Sequence, residues 1–418
     1  MVYVLDAQGN PLMPTSRHGK VRRLLKEGKA KVIKRCPFVI QLLYNSTKYV
    51  QNISLGIDAG SKYIGASAST QTKVMYEAEI ELRNDIVNLL SSRKECRRAR
   101  RYRKTRYRKP RFNNRVSSKK KGWLAPSVKQ KVQTHLTVID NICHILPIKN
   151  IIVEVASFDT QKLKNPNISN TEYQHGEQEG FWNVREYVLF RDNHTCQCCK
   201  GKSKDQILNV HHIKSRKTGG NSPSNLVTLC KSCHRDYHKG LIKLPNTVCS
   251  GKSFRDATFM NVMKKTLILE LKKKYSSVQE TYGYITKRVR ISHNLPKGHY
   301  IDARCISGNP NAQSLGYYYF QKKVRCHNRK IHKQKIYKGG LRKNNQAPYF
   351  VKGFRLFDKV KYKGEEYFVF GRRNSGYFDI RNLTGIKVNN GSINYKNLLF
   401  VSTKTSFLTE RRKICGAL

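Results

Sequence analysis

The N-terminal part of the chain breaks into short apolar runs separated by turn residues, and the runs read as strands. Residues 2–5, 30–33 and 38–43 are three of them, and Gly9-Asn10-Pro11 marks a turn after the first. Between the first two runs, Val21, Leu24 and Leu25 recur at helical spacing, with Ser16 as a candidate N-cap and Gly28 as the stop. This predicts a compact β-α-β-β module over residues 1–50. Residues 53–58, 63–69 and 74–82 predict a three-stranded meander, and Asp58-Ala59-Gly60-Ser61 turns directly out of its first strand.

Further on the period changes. Val128, Val132, Leu136, Ile139, Ile142 and Leu146 predict an amphipathic helix that Pro147 ends. Residues 151–155 read as a buried strand carrying Glu154, and residues 156–180 as a polar, Asn-rich linker. Val262, Met263, Leu267 and Leu271 predict a second amphipathic helix, and residues 278–285 another strand. From residue 317 on, strand-like runs at 354–362, 366–371, 377–382 and 398–402 alternate with Gly, Asn and Lys turns. Short strands at that spacing predict a small β-barrel-like domain.

Charge alters the picture. The 418 residues hold 82 Lys+Arg against 27 Asp+Glu, a net charge of +55, which would repel itself in a free compact state and points to a polyanionic partner with salt-sensitive binding. From Arg93 to Arg111, 12 of 19 residues are Lys or Arg, with Tyr102 and Tyr107 interleaved. Like charges at i,i+4 weaken an isolated helix, so a partner would order this segment. Arg97, Arg101 and Arg108 fall near one helical face and Arg100 and Arg103 widen it, a stripe suited to clamping phosphates. The bland alternative is a basic linker. The start of the chain has no charged n-region and long apolar core, and no apolar run approaches the ~20 residues of a membrane span. The expectation is an intracellular setting in which the twelve cysteines bind metal or stay as thiols.

Four of those cysteines form two Cys-x2-Cys pairs, Cys196/Cys199 and Cys230/Cys233, the spacing of a tetrahedral structural zinc site. Cys198 is a spare thiol beside them. Between and after the pairs run His211-His212, Asn225, His234 and His238. This pattern resembles the HNH (ββα-metal) nuclease motif. The resemblance implies that His212 is the general base, that His211 binds the catalytic divalent ion, and that Asn225 orients the base-bearing loop. It makes His234 and His238 further metal contacts, with the choice between them open. A purely structural zinc finger is the alternative.

Asp58, Glu154 and Asp302 are weak signals one by one, each equally readable as a cap or an ion-pair partner. With the meander, and with His299 a helical turn before Asp302, they resemble the three split segments of a RuvC-like, RNase H-type nuclease domain. Three carboxylates and one histidine suit two Mg²⁺ (or Mn²⁺) ions.

The order of these parts resembles that of the IscB family, transposon-associated RNA-guided DNA endonucleases. The stretch Pro11-Leu12-Met13-Pro14-Thr15-Ser16-Arg17-His18-Gly19 resembles the PLMP domain of that family. The resemblance implies an α/β multidomain chain: a PLMP domain at 1–50, RuvC-like segments at 51–92, 122–160 and 256–315, an Arg-rich bridge helix at 93–121, a zinc-stabilised HNH insertion at 181–245, and a C-terminal domain at 316–418 that reads a target-adjacent motif and touches RNA. It implies as partners a structured guide RNA (ωRNA) and double-stranded DNA, with no membrane. The protein would be a monomer within a ribonucleoprotein in the bacterial cytoplasm, associated with the nucleoid. HNH would cut the guide-paired strand and RuvC the displaced one. A protein-only DNA nuclease and a catalytically inactive RNA-guided DNA-binding protein are the rival readings.

Overall fold

In the computed structural model the described residues are 1–102, 122–155, 177–215, 219–248, 255–325 and 348–414, with the single positions 168 and 251. The chain is mixed α/β. It divides into two compact units, Met1–Ala156 with Met260–Leu418, and Ser157–Phe259 between them in sequence.

The larger unit begins with β1 (Tyr3–Leu5), α1 (His18–Lys26), β2 (Ala30–Lys34) and β3 (Val39–Leu42). The strands form a sheet in the order β1-β3-β2, β1 parallel to β3 and β2 antiparallel to it. Val2, Val4, Val21, Ile40 and Leu42 make its core. The expected cap does not form: α1 starts at His18 behind Arg17, without a side-chain cap, and the Thr15 hydroxyl accepts from the Arg17 N–H instead. The buried Tyr3 hydroxyl donates to the Met75 carbonyl at 3.0 Å, tying this module to the next sheet.

That next sheet is the frame of the unit. It contains β4 (Ile53–Ala59), β5 (Tyr63–Ser69), β6 (Val74–Glu81), β7 (Ile148–Val155), β10 (Val278–Tyr282), β11 (Tyr317–Lys323) and β17 (Phe407–Lys413), in the order β10-β7-β4-β5-β6-β11-β17. The meander β4-β5-β6 is antiparallel, while β7 and β10 add in parallel on one side and β11 on the other. Ile53, Leu55, Ile57, Ile64 and Ile80 are fully buried, the near-continuous apolar character expected of strands covered on both faces. Gly60 makes the β4–β5 turn possible, because a Cβ there would lie 2.3 Å from the Tyr63 carbonyl oxygen.

Four helices accompany the sheet: α2 (Ile86–Tyr102), α3 (Pro126–Cys143), α6 (Arg255–Lys274) and α7 (Gly283–Ser292); a fifth, α8 (His299–Ile306), crosses β4 and β5. The α8 crossing depends on two glycines. A Cβ on Gly65 would meet the His299 carbonyl oxygen at 1.9 Å, and one on Gly56 the Ala303 carbonyl oxygen at 2.0 Å. The Arg-rich helix begins earlier than its charge, at Ile86. Arg97 is exposed on it, Arg100 and Arg101 belong to it, and Arg103 and Arg108 lie outside the described residues. The strand expected over 278–285 ends at Tyr282, and α7 starts at Gly283, its inward face carrying Thr286, Val289 and Arg290 at i, i+3 and i+4.

The expected C-terminal barrel is an open sheet with two strands lent elsewhere. Residues in β11 and β17 belong to the central sheet. The remainder, β12 (Lys359–Tyr362), β13 (Glu365–Arg372), β14 (Tyr377–Arg381), β15 (Ile393–Asn394) and β16 (Leu399–Ser402), pair in the order β15-β14-β13-β12-β16. Among the described residues no pairing joins β15 to β16. Val360, Val369, Phe378 and Ile380 form its core.

The smaller unit holds α4 (Val184–Arg191), β8 (Leu208–His212), β9 (Leu226–Cys230) and α5 (Lys231–His238). β8 and β9 form an antiparallel hairpin that pairs His211 with Val227 and His212 with Leu226. Val227 and Leu229 pack with Cys196, Cys230 and Cys233. Asn183 caps α4 by accepting from the N–H groups of Arg185 and Glu186. Among the described residues of the chain, no helix is long and apolar enough to cross a membrane.

Candidate nuclease sites

The smaller unit gathers two ligand sets. The thiols of Cys196, Cys199, Cys230 and Cys233 lie within 4.8 Å of one another, and the Cys199 and Cys230 sulfurs are 3.9 Å apart. Four sulfurs around one zinc at ~2.3 Å would stand about 3.8 Å apart, so the set fits the ion. Cys198 stays outside it. The Cys230 sulfur also accepts from the Cys233 N–H at the start of α5, and the Asp205 carboxylate accepts from the Ser232 N–H and hydroxyl there, so the knuckle is built into the helix N-terminus.

The second set is His211, His234 and His238, one ring nitrogen of each lying within 4.8 Å of the others. His234 and His238 stand one turn apart on α5, and His211 faces them from β8. All three therefore converge, and the choice between His234 and His238 is one the geometry does not require. His211 is buried, and its Nε2 has no hydrogen-bond partner. Burial first, then the neighbouring His234, His238 and His212, bring its pKa down to about 4, so it stays neutral, the state in which imidazole binds metal. His234 is lowered as well, by burial and then His238. An orphaned, neutral nitrogen among three imidazoles fits a divalent ion. The donor set contains no carboxylate, so it suits a borderline transition ion better than Mg²⁺.

His212 points the other way from His211, as neighbours on a strand must. Its Nε2 lies 3.0 Å from the Asn221 Oδ1. A carbonyl oxygen accepts, so Nε2 carries the proton and Nδ1 is left as the basic nitrogen. Asn221 is a residue that sequence reasoning missed. Asn225, buried, holds the loop rather than the ring: its Oδ1 accepts from the Lys214 N–H at 2.9 Å and its Nδ2 donates to the carbonyls of Lys214 and Gly220 at 2.9 and 3.0 Å. Gly219 must lack a side chain, since a Cβ would meet the Asn225 amide at 2.3 Å.

In the larger unit Asp58 sits near the end of β4, Glu154 near the end of β7, and His299 and Asp302 on the first turn of α8. Each acid has its own cation. The His299 Nδ1 donates to the Asp58 Oδ2 at 2.7 Å, the Lys264 Nζ is 3.6 Å from the Glu154 Oε1, and the Arg290 Nε is 2.9 Å from the Asp302 Oδ1. Tyr63 stacks on the His299 ring at 5.4 Å. Burial raises the pKa of Glu154 and of Asp302, and in each the Asp58 charge adds to the rise. His299 is raised by its bond to Asp58. The acids therefore feel one another, yet their oxygens are not drawn into a cluster as tight as the two in the smaller unit. Glu154 and Asp302, raised by burial and then by the Asp58 charge, fit with Asp58 a hard divalent ion such as Mg²⁺ or Mn²⁺, which would take over from the neighbouring basic groups. Lys264, Arg290 and Tyr63 are further residues missed in the sequence; nothing in their local spacing marks them.

Comparison with known proteins gives two family matches. The RRXRR protein model matches residues 2–176 and the HNH endonuclease model residues 196–240. Anaredoxin from Nostoc sp. (strain PCC 7120 / SAG 25.82 / UTEX 2576) is 35% identical over 63 residues, 15% of this chain and 79% of the relative. Streptococcus thermophilus Cas9 in complex with AGGA PAM is 12% identical, with a TM-score of 0.32 over 44% of this chain and 26% of the Cas9 chain. The same enzyme with GGAA PAM is 13% identical, with a TM-score of 0.36 over 51% and 30%. The chain thus spans under a third of the length of the Cas9 chains it matches. The RRXRR region followed by an HNH endonuclease domain defines a nuclease that joins RuvC-like and HNH parts. Together the two matched regions support a nuclease of the IscB/Cas9-like type.

Proposed function

We propose that this chain is an RNA-guided endonuclease that cuts both strands of a DNA duplex beside a short adjacent motif. The observation that carries the reading is a histidine cluster fit for a metal ion in the smaller unit together with a set of interacting acids, Asp58, Glu154 and Asp302, in the larger, within one chain of net charge +55. Two sites suit two strands, and the charge suits a large polyanion held permanently.

In the HNH unit His212 takes the proton of the attacking water on Nδ1, while Asn221 holds Nε2–H. Asn225 fixes the loop that carries the base. His211, His234 and His238 would hold a borderline divalent ion, which supplies charge stabilisation at the scissile phosphate. This site cuts the guide-paired strand. In the larger unit Asp58, Glu154 and Asp302 would hold Mg²⁺ or Mn²⁺, and His299, whose Nδ1 donates to Asp58 and whose ring stacks on Tyr63, would take the proton of the attacking water on Nε2. This site cuts the displaced strand. The four cysteines hold a structural zinc. The Arg-rich segment binds guide and target backbones through Arg97, Arg100, Arg101, Arg103 and Arg108, and the C-terminal region over 316–418 reads the adjacent motif.

Purification from cells that also express the neighbouring noncoding DNA tests this. The protein should carry a discrete structured RNA. Sequencing that RNA should identify a guide, and plasmids matching it should be cut on both strands. RNA-free protein that cuts unmatched DNA equally well would overturn guidance and favour a protein-only nuclease.

A further inference from the structure

The approach to the carboxylate site has a surface that neither catalysis nor folding accounts for. β10 is the edge strand of the central sheet, and its last residue is Tyr282. The next residue, Gly283, opens α7 and lies against the site: a Cβ there would be 3.2 Å from the Glu154 Oε1. Tyr284 follows. The two tyrosines flanking this glycine are 48% and 72% exposed, and their rings lie nearly parallel, 17° between planes and 6.0 Å between centroids. Tyr282 buries about half of its surface in the fold and Tyr284 little, so two aromatic faces beside an acidic site are left in water.

The helix supplies the complementary charge. Lys287 and Arg288 stand three and four residues after Tyr284, so they share its helical face, and both are exposed. Acids repel a nucleic-acid backbone, and these cations stand on the helix whose first residue, Gly283, lies against Glu154. An aromatic ring backed by cations at a helical turn is the combination that holds unpaired bases: the ring offers a π-face, and the cations take the phosphates on either side. A duplex hides its base faces in its own stack and gains nothing from Tyr284. Only a strand already separated from its complement does.

We propose that Tyr282 and Tyr284, with Lys287 and Arg288, form a stacking platform for single-stranded DNA, which delivers the displaced strand to the carboxylate site. The assignment of that strand rests on the function proposed above; the single-strand preference rests on the exposed rings. Stacking is tolerant of base identity, so the platform leaves sequence choice to the guide.

The test uses the full ribonucleoprotein and a fluorescent oligothymidine, with an unlabelled duplex as comparison. Tyr284→Ala should weaken oligothymidine binding about tenfold, within the range of base–aromatic stacking, and leave duplex affinity unchanged. Tyr284→Trp should bind at least as well as the parent. Tyr284→Leu, which keeps apolar area without a π-face, should behave like the alanine variant. Lys287→Gln with Arg288→Gln should lower the salt slope for the single strand by roughly one to one and a half. Full binding by Tyr284→Ala overturns the platform, whether or not the parent cuts guided DNA. Full rescue by leucine also overturns it, because that result marks an apolar protein contact. Failure of the guided-cleavage reading shows separately, as absence of guided cutting by the parent.

Discussion

The two units solve one problem with opposite economies of sequence. In the HNH unit the ligands, the base and the residue holding its loop all fall between Cys196 and His238, on one hairpin and one short helix. In the sheet unit Asp58, Glu154 and Asp302 come from three distant stretches and meet only because β4 and β7 are paired in parallel and α8 crosses them. The first site rests on a two-stranded hairpin and a short helix beside four clustered cysteines, the second on a seven-stranded sheet with a large apolar core. Local sites of this kind should fail by losing their metal, and distributed ones by losing their frame.

The largest effect that sharpens this contrast is Cys230→Ser. It removes one of four thiols and the side chain that accepts from the Cys233 N–H. Structural zinc contributes on the order of 10 kcal/mol to small domains that fold on it, so the HNH unit should unfold. Metal analysis should show zinc loss and limited proteolysis should cut within residues 181–245, while the sheet unit melts as before. Parental zinc content with both strands cut would sink the assignment.

Next come the single catalytic substitutions. His212→Ala removes the proposed base, and Asp58→Ala a proposed ligand that also holds His299. Each should slow one strand's cleavage by roughly 10²–10⁴-fold and spare the other. Strand-specific labelling gives the answer directly. Loss of both cuts by either variant, with binding retained, would mean that the units do not work independently.

How much of this was legible in the chain follows the same division. Spacing placed the cysteines, because metal geometry demands ligands a fixed few residues apart, and the resemblance to the HNH motif placed the histidines. Strand patterning placed β4, β5 and β6 to within a residue or so, since each is apolar and ends in turn residues. What sequence could not carry is anything set by pairing between distant segments. Lys264 and Arg290 look like surface cations on amphipathic helices, yet each faces an acid of the site. Asn221 looks like a loop residue and touches His212. At the C-terminus the runs at 366–371, 377–382 and 398–402 match β13, β14 and β16, but the run at 354–362 is a strand only from Lys359, and β15 and the two strands that join the central sheet, β11 and β17, went unread, because pairing is decided by partners far away in sequence.

A smaller effect probes the frame of the distributed site. Arg304, two residues after Asp302 on α8, donates through Nε to the Oε1 of Glu77 on β6 at 2.7 Å, and both are buried. Glu77→Leu leaves a buried guanidinium without its partner and should cost about 3–5 kcal/mol; the double change Glu77→Leu with Arg304→Met should restore much of it. If the pair also sets the rotation of α8, the double variant should fold well yet cut the displaced strand slowly. Normal cutting by a well-folded double variant would limit the pair to stability. The HNH unit should melt unchanged in both.

The smallest effect compares two buried histidines across pH. His135 on α3 is fully buried; its Nδ1 donates to the Lys131 carbonyl at 2.8 Å and its Nε2 has no partner. Burial, above all, brings its pKa down to about 4 from 6.5. The folded chain thus keeps it neutral where the unfolded chain takes up a proton. The unfolded state binds more protons between those two values, so stability is complete above about pH 6.5 and falls as pH drops toward 4, by about 3 kcal/mol in all. His211 is lowered to a similar value, with the same sign, but its orphan nitrogen lies among other imidazoles and is open to metal. Metal bound there resists protonation, so added divalent ion should flatten the acid-side loss in the HNH unit and leave that of the sheet unit as it was. His135→Leu should flatten the sheet unit's loss without metal. Denaturant unfolding of each unit, followed at a series of pH values with and without metal, separates the two. An unchanged slope in His135→Leu would mean that another group carries the acid sensitivity of the frame, and equal metal protection of both units would erase the distinction between a site that is held by its ligands and one that is held by its fold.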